Sequence, residues 1–282
     1  MHRFERVYLL MGQHIQIVFT SLFPEQLELL VAQLSEIGFD GFEEQENILK
    51  AFIPADDFDE AAVKEIAAKN KVTFVQSIIE ETNWWNAAWE SNFHPVMIDD
   101  FVAIRADFHK PVKNVKYEII ITPKMSFGTG HHATTAMMMR QMREINFANK
   151  TVFDFGTGTG ILAILAEKLG AKEIVAVDND EWSISNAAEN ISRNNCKNIQ
   201  ILEADLISGD KQFDIILANI NKNVLIDNLS ALSTQLSASG VLLLSGLLID
   251  DEADMLAVAG KFSLILNGKS AQNNWICLKF AH

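Results

Sequence analysis

The sequence predicts an α/β chain: a mostly parallel seven-stranded sheet covered by helices, preceded by a small α+β module. Three observations carry this expectation. From Thr151 onward, short apolar strands alternate with helical patterns, as they do in a parallel sheet with helices on its faces. The chain closes on two strands, Phe262 to Leu266 and Trp275 to Phe280. These are too near each other in sequence for a crossover and are therefore antiparallel. The first 80 residues follow the order β-α-β-β-α-β, the split-βαβ arrangement.

In the first module, Ile15, Ile17 and Phe19 alternate within a strand over Gln13 to Thr20. Leu27, Leu30, Val31 and Leu34 recur at helical spacing from Pro24 to Ile37, and Gly38 ends that helix. Phe39 to Glu44 and Ile48 to Ile53 read as strands around Glu46-Asn47. Phe58 to Lys69 reads as a helix entered through Asp56 and Asp57, and Val72 to Ile79 as the last strand. The module is ferredoxin-like and is expected over residues 11–80; Met11 is an alternative start. Asn83 to Phe93, with Trp84, Trp85 and Trp89, reads as a linker helix, the linker being assigned to residues 81–95. Trp85 and Trp89 fall on one helical face. Residues 96–282 then form the large domain. It begins with a strand pair at Val96 to Phe108 and Val115 to Thr122.

The richest segment is Thr151-Val-Phe-Asp-Phe-Gly-Thr-Gly-Thr-Gly-Ile161. A buried strand runs into a glycine turn, and an apolar helix follows to Leu169. That is a nucleotide cradle at the carboxyl edge of a parallel sheet. Dinucleotide sites favour Gly-x-Gly-x-x-Gly, whereas the third glycine comes one residue early here. Asp154 also places a carboxylate beside the turn, a poor neighbour for phosphate. Both features favour a nucleoside ligand without phosphates, such as S-adenosylmethionine. The next strand, Glu173 to Asp178, ends in an acid able to accept hydrogen bonds from ribose hydroxyls, in a dehydrogenase as well as a methyltransferase. Gly156, Gly158 and Asp178 are thus candidate cofactor contacts. Further strands are read at Ile199 to Glu203, Phe213 to Leu217 and Val241 to Leu244. Helices are read at Trp182 to Asn194, Val224 to Leu236 and Ile249 to Ala259, with Gly240 in an exit loop and Asn267-Gly268 as the last turn.

Composition narrows the function classes. The net charge of −14 argues against naked nucleic acid as the main partner and suits a basic protein or peptide, although acidity also serves solubility alone. No apolar run is long enough for a transmembrane helix, and the N-terminus lacks a signal-peptide pattern. The two cysteines, Cys196 and Cys277, form no metal or redox motif, which suits a reduced cytoplasmic setting.

Two further motifs bear on chemistry. Ser126-Phe-Gly-Thr-Gly-His-His-Ala-Thr-Thr135 leads into a helix over Ala136 to Met142, with Thr134 and Thr135 as caps. Phe127 is a lone aromatic suited to cover a ligand. His131 and His132 are adjacent, so they do not share a helix face as a metal pair would, and no metal site is expected. Phe213-Asp-Ile-Ile-Leu-Ala-Asn-Ile-Asn221 ends a strand on Asn219, whose side-chain carbonyl is an acceptor for an incoming amine.

Together, Phe127-Gly-Thr-Gly-His-x-x-Thr-Thr135, the Asp154 to Ile164 segment, Val177-Asp-Asn-Asp180, Ala218-Asn-Ile220 and Leu244-Ser-Gly-Leu-Leu248 resemble the ribosomal protein L11 methyltransferases. The resemblance spans nearly the whole chain. It implies a seven-stranded class I methyltransferase domain behind a ferredoxin-like substrate-recognition domain and a linker helix. It implies S-adenosylmethionine as cofactor, contacted by Thr135, Gly156, Asp178 and Asn219, with Phe127 closing over it. It implies methylation of lysine ε-amines and the N-terminal α-amine of a basic ribosomal protein, by a monomer that binds neither membrane nor nucleic acid directly. The sequence departs from the family pattern at Thr122-Pro-Lys-Met-Ser126, where Asp/Asn-Pro-Gly-Met-Ala is usual, and at Asn221-Lys222, where Leu-Ala is common. Methylation of another protein or nucleobase amino group competes with this reading. A nucleotide-dependent dehydrogenase or a silent binding module is the alternative from a different class.

Overall fold

The computed structural model describes residues 14–39, 41–45, 47–79, 94–122, 130–205 and 211–282. The expected linker helix with Trp84, Trp85 and Trp89, the residues before 14, and Phe127 lie outside the described residues. The chain divides into two compact units, Met1–Asn92 and Phe93–His282.

Among the described residues, the first unit is a four-stranded sheet with two helices. Its strands are β1 (His14–Phe19), β2 (Gly41–Gln45), β3 (Ile48–Pro54) and β4 (Phe74–Ile79), in the order β2-β3-β1-β4 with every pair antiparallel. The alternation of Ile15, Ile17 and Phe19 turns these side chains to the core, as expected for a half-covered antiparallel strand. Against them pack α1 (Pro24–Ser35), through Leu27, Leu30, Val31 and Leu34, and α2 (Glu60–Lys69), through Val63 and Ala67. Asp59 caps α2, accepting from the Ala61 and Ala62 amides at 2.9 and 3.1 Å. Asp56 and Asp57, expected at that helix entry, fall instead in a 3-10 turn at Ala55–Asp57.

The second unit is built on a sheet of order β10-β9-β8-β11-β12-β14-β13. The strands are β8 (Thr151–Phe155), β9 (Glu173–Asp178), β10 (Ile199–Glu203), β11 (Phe213–Asn219), β12 (Leu236–Leu248), β13 (Ile265–Gln272) and β14 (Trp275–Ala281). From β10 to β12 neighbours are parallel; β14 runs antiparallel to both β12 and β13. The sheet is thus mostly parallel, with one antiparallel edge. Gly240, expected in an exit loop, belongs to β12. The closing hairpin turns at Asn273-Asn274, not at Asn267-Gly268. The latter sits inside β13 at a register shift between Leu266 and Gly268, so the Asn-Gly pair marks an irregularity in the strand.

The described residues of the second unit join these strands with helices α3 (Ala133–Arg143), α4 (Ile161–Lys168), α5 (Glu181–Arg193), α6 (Lys222–Gln235) and α7 (Glu252–Lys261). Every residue of α4 from Ile161 to Ala166 is buried, because the helix is packed between the large sheet and a second one. That second sheet corrects the expected strand pair. Val96 to Phe108 breaks at Asp99 (φ 52°) into β5 (Val96–Ile98) and β6 (Val102–Ala106), which are antiparallel. β7 (Tyr117–Ile121) then lies parallel to β6. Side chains of α5 and its C-cap hold β7 in place. Asn194 exchanges two hydrogen bonds with the Ile120 backbone (3.0 and 2.6 Å), and Asn190 Oδ1 accepts from the Thr122 amide at 2.7 Å.

Candidate active site

The site is built on the carboxyl ends of three neighbouring strands. Val177, Phe155 and Ala218 are in register across β9, β8 and β11. The next residue on each strand is therefore Asp178, Gly156 and Asn219. With strands about 4.8 Å apart, Asp178 and Asn219 stand roughly 10 Å from each other across the glycine turn.

Gly156, Gly158 and Gly160 all adopt positive φ (71°, 53° and 78°). The turn is pinned to β9 by the Thr157 amide, which donates to the Val177 carbonyl at 2.8 Å. At Gly156 a Cβ would lie 2.9 Å from Ile220 Cδ1, so this glycine admits both the left-handed backbone and the β11 loop.

Two carboxylates flank the turn. Asp154 is fully buried; its Oδ2 accepts from the Thr157 hydroxyl at 2.6 Å. Burial pushes its carboxyl up to about 7, against the pull of the Thr157 hydrogen bond. Asp178 Oδ2 accepts from the Gly158 amide at 2.8 Å, and Oδ1 from the Asp180 amide at 3.2 Å. Burial raises its pKa too, opposed by those amide bonds. Among the described residues no Lys or Arg forms an ion pair with either carboxylate. Such surroundings repel phosphate and suit neutral hydroxyls.

On the other side, Thr135 and Asn219 meet directly: Asn219 Nδ2 donates to Thr135 Oγ1 at 3.3 Å. Asn219 Oδ1 is buried without a hydrogen-bond partner among the described residues. A buried carbonyl oxygen left unsatisfied costs on the order of 1–3 kcal/mol, so it is a natural docking point for a donor. Thr135 lies in the first turn of α3 and is fully buried. The helix cap is His132, not Thr134 or Thr135; its Nδ1 lies 3.4 Å from the Thr134 amide and 2.8 Å from the Thr134 hydroxyl. The His132 ring packs edge-on against Trp275, and burial depresses its pKa to about 4. Among the described residues, no group of three or more His, Cys, Asp or Glu is arranged to hold a metal ion.

The fold thus gathers Thr135, Gly156, Gly158, Asp178 and Asn219 on one edge of the sheet. The motifs contain Ile220 and Gly246 but give neither a role: Ile220 lies against both Gly156 and Gly246. The wedge of Ile220 between two glycines is a long-range feature with no local pattern, although the Leu244-Ser-Gly-Leu-Leu248 segment does contain Gly246.

A mostly parallel sheet with an antiparallel closing strand, a glycine turn after β8 and an acid at the tip of β9 define a class I S-adenosylmethionine-dependent methyltransferase. The residues present fit that cofactor: among the described residues no Lys or Arg pairs with the carboxylates at the turn, Asp178 faces it, and Asn219 offers a buried acceptor. Comparison with known proteins agrees. The family model for ribosomal protein L11 methyltransferase (PrmA) matches residues 27–282. A ribosomal protein L11 methyltransferase from Porphyromonas gingivalis is 40% identical over 261 residues, covering 90% of both chains. Its counterpart from Chlorobaculum parvum is 39% identical, covering 85% of this chain and 86% of its own. Among solved structures, a ribosomal protein L11 methylase from Lactobacillus delbrueckii subsp. bulgaricus superposes with a TM-score of 0.63 at 30% identity, over 67% of this chain and 98% of its own. The chain belongs to the ribosomal protein L11 methyltransferase family.

Proposed function

We propose that this enzyme methylates lysine ε-amines and the N-terminal α-amine of ribosomal protein L11. The observation that carries the reading is the buried, unpartnered Oδ1 of Asn219 at the carboxyl edge beside the glycine turn. It is an acceptor for one N–H of an amine whose lone pair then faces the methyl donor. S-adenosylmethionine supplies the electrophilic methyl group. Asp178 accepts hydrogen bonds from the ribose hydroxyls while retaining the Gly158 amide. Gly156 and Gly158 let the backbone approach the nucleoside, Thr135 contacts the cofactor and steadies Asn219, and Phe127 covers the ligand.

The reaction needs alignment more than a strong acid or base. The amine must be neutral, and at pH 7 to 7.5 deprotonating an ordinary lysine costs about 4 kcal/mol. A desolvated cleft reduces that cost by disfavouring the ammonium form. The residues assign no dedicated base.

The four-stranded first unit is proposed as a ferredoxin-like substrate-recognition domain, with residues 81–95 as the linker and 96–282 as the catalytic domain. The net charge of −14 suits a basic protein substrate and disfavours direct nucleic-acid contact. No described helix is long and apolar enough to cross a membrane. A cytoplasmic monomer completes the proposal. The test is transfer of labelled methyl groups from S-adenosylmethionine to purified L11, with the modified residues located by mass spectrometry. Label on lysine side chains and the N-terminus is expected. Label confined to other residue types, or none, would refute the assignment.

A further inference from the structure

We propose that Lys222, through its ion pair with Asp251, is a positioning residue that holds Asn219 for methyl transfer. The inference rests on the role given above to Asn219.

The first observation is a charge of the wrong sign. Lys222 is the first residue of α6, directly after the cap Asn221, whose Oδ1 accepts from the Val224 amide at 3.1 Å. A cation there opposes the positive end of the helix dipole. Two acids compensate it: Lys222 Nζ lies 2.8 Å from Asp251 Oδ1 and 3.6 Å from Asp254 Oδ2. The Lys222 and Asp251 side chains are 24% and 14% exposed, so solvent screens this pair far less than a surface ion pair.

The second observation is what the pair joins. Asp251 Oδ2 accepts from the Leu248 amide at 2.8 Å, fixing the 3-10 turn Ile249–Asp251 at the end of β12. Lys222 follows the Ile220–Asn221 loop after β11. The salt bridge therefore ties together the loops leaving two adjacent parallel strands, which stand in register at Asn219 and Ser245.

The third observation is how little room the loop has between those ties. The Ile220 amide donates to the Ser245 carbonyl at 3.2 Å. Gly246 has φ 85°, and a Cβ on it would lie 2.3 Å from the Ile220 carbonyl oxygen. Ile220 Cδ1 reaches towards Gly156 on the other side. The loop is thus wedged at Ile220 and latched at Lys222, and Asn219 is the residue before the wedge. Among the described residues the Asn219 side chain makes one hydrogen bond, at 3.3 Å to Thr135, so its orientation depends on this backbone. Releasing the latch frees the Asn219 amide to swing, while the glycine turn and Asp178 stay in place.

The experiment compares Lys222→Met, Lys222→Arg and Asp251→Asn with the unmodified enzyme and with Asn219→Ala. Hydrogen exchange of the Ile220 and Val224 amides is measured without cofactor, alongside S-adenosylmethionine affinity, kcat and KM. Lys222→Met is expected to speed exchange at Ile220 and to lower kcat about fivefold, roughly 1 kcal/mol at about 1.36 kcal/mol per decade. Cofactor affinity should stay within twofold. Lys222→Arg should restore most of the rate, and Asp251→Asn should mimic Lys222→Met. Unchanged exchange at Ile220 would overturn the latch. Faster exchange with unchanged kcat in Lys222→Met, while Asn219→Ala is slow, would overturn the positioning claim alone. If both variants kept full turnover, the role of Asn219 itself would have failed.

Discussion

Replacing Asp178 with Ala removes one side chain that serves two purposes. Its carboxylate holds the Gly158 and Asp180 amides at 2.8 and 3.2 Å. Each oxygen keeps a further lone pair for a ribose hydroxyl. Hydrogen bonds to a charged acceptor contribute about 1.5–3 kcal/mol each, and a half-buried carboxylate belongs at the lower end. Losing two costs roughly 3 kcal/mol, a weakening of S-adenosylmethionine binding of about 100-fold. Asp178→Asn keeps one carbonyl acceptor and should weaken binding about tenfold. The assay is calorimetric titration of the cofactor into each variant, with thermal unfolding of the free proteins recorded alongside. Affinity of Asp178→Ala within threefold of the unmodified enzyme would refute the ribose assignment. An affinity loss matched by wholesale loss of melting temperature would show that Asp178 acts only by holding the turn.

Two further predictions concern the same edge. Burial raises the Asp154 carboxyl from its ordinary value near 3.8 to about 7, so between those values the folded protein keeps a proton that the unfolded chain has released. Stability therefore falls as pH rises through that window. Asp154→Asn, which keeps an acceptor for Thr157, should gain roughly 3 kcal/mol on the unmodified protein between pH 5 and pH 8; a pH-independent difference in denaturant unfolding would contradict this. Gly246→Ala places a Cβ 2.3 Å from a backbone oxygen, whereas at Gly156 the nearest atom, at 2.9 Å, is the end of a flexible side chain. Calorimetry should show Gly246→Ala melting at least about 6 °C lower, while Gly156→Ala, which carries mainly the left-handed strain of about 1 kcal/mol, melts about 3 °C lower and binds S-adenosylmethionine weakly; equal melting shifts would contradict the wedge at Ile220.

Much of the site was legible because its residues sit at the ends of strands with strong local patterns. Val152, Phe153 and Phe155 announce β8, the three glycines announce its turn, and Asp178 and Asn219 each end an apolar run. Thr135 was legible through its motif, although its place inside the helix was not. The cap is a histidine nitrogen, outside the usual Ser, Thr, Asp and Asn preference. Strand pairing was harder to read. Val96 to Phe108 looks continuous because its apolar residues straddle a tight turn over residues 99–101, left-handed at Asp99, that separates β5 from β6. Asn267-Gly268 carries the same hairpin signal as a true turn, and only the register with β14 reveals a strand irregularity. The Lys222–Asp251 pair joins residues far apart in sequence, so no local pattern points to it.

The most direct test of the account is single-turnover transfer of labelled methyl groups to L11 by the unmodified enzyme and by Asn219→Ala, both saturated with cofactor and substrate. The account predicts that the unmodified enzyme labels L11 and that Asn219→Ala transfers on the order of 100-fold more slowly, the effect of losing a well-placed group in the transition state. Full-rate transfer by Asn219→Ala would contradict it.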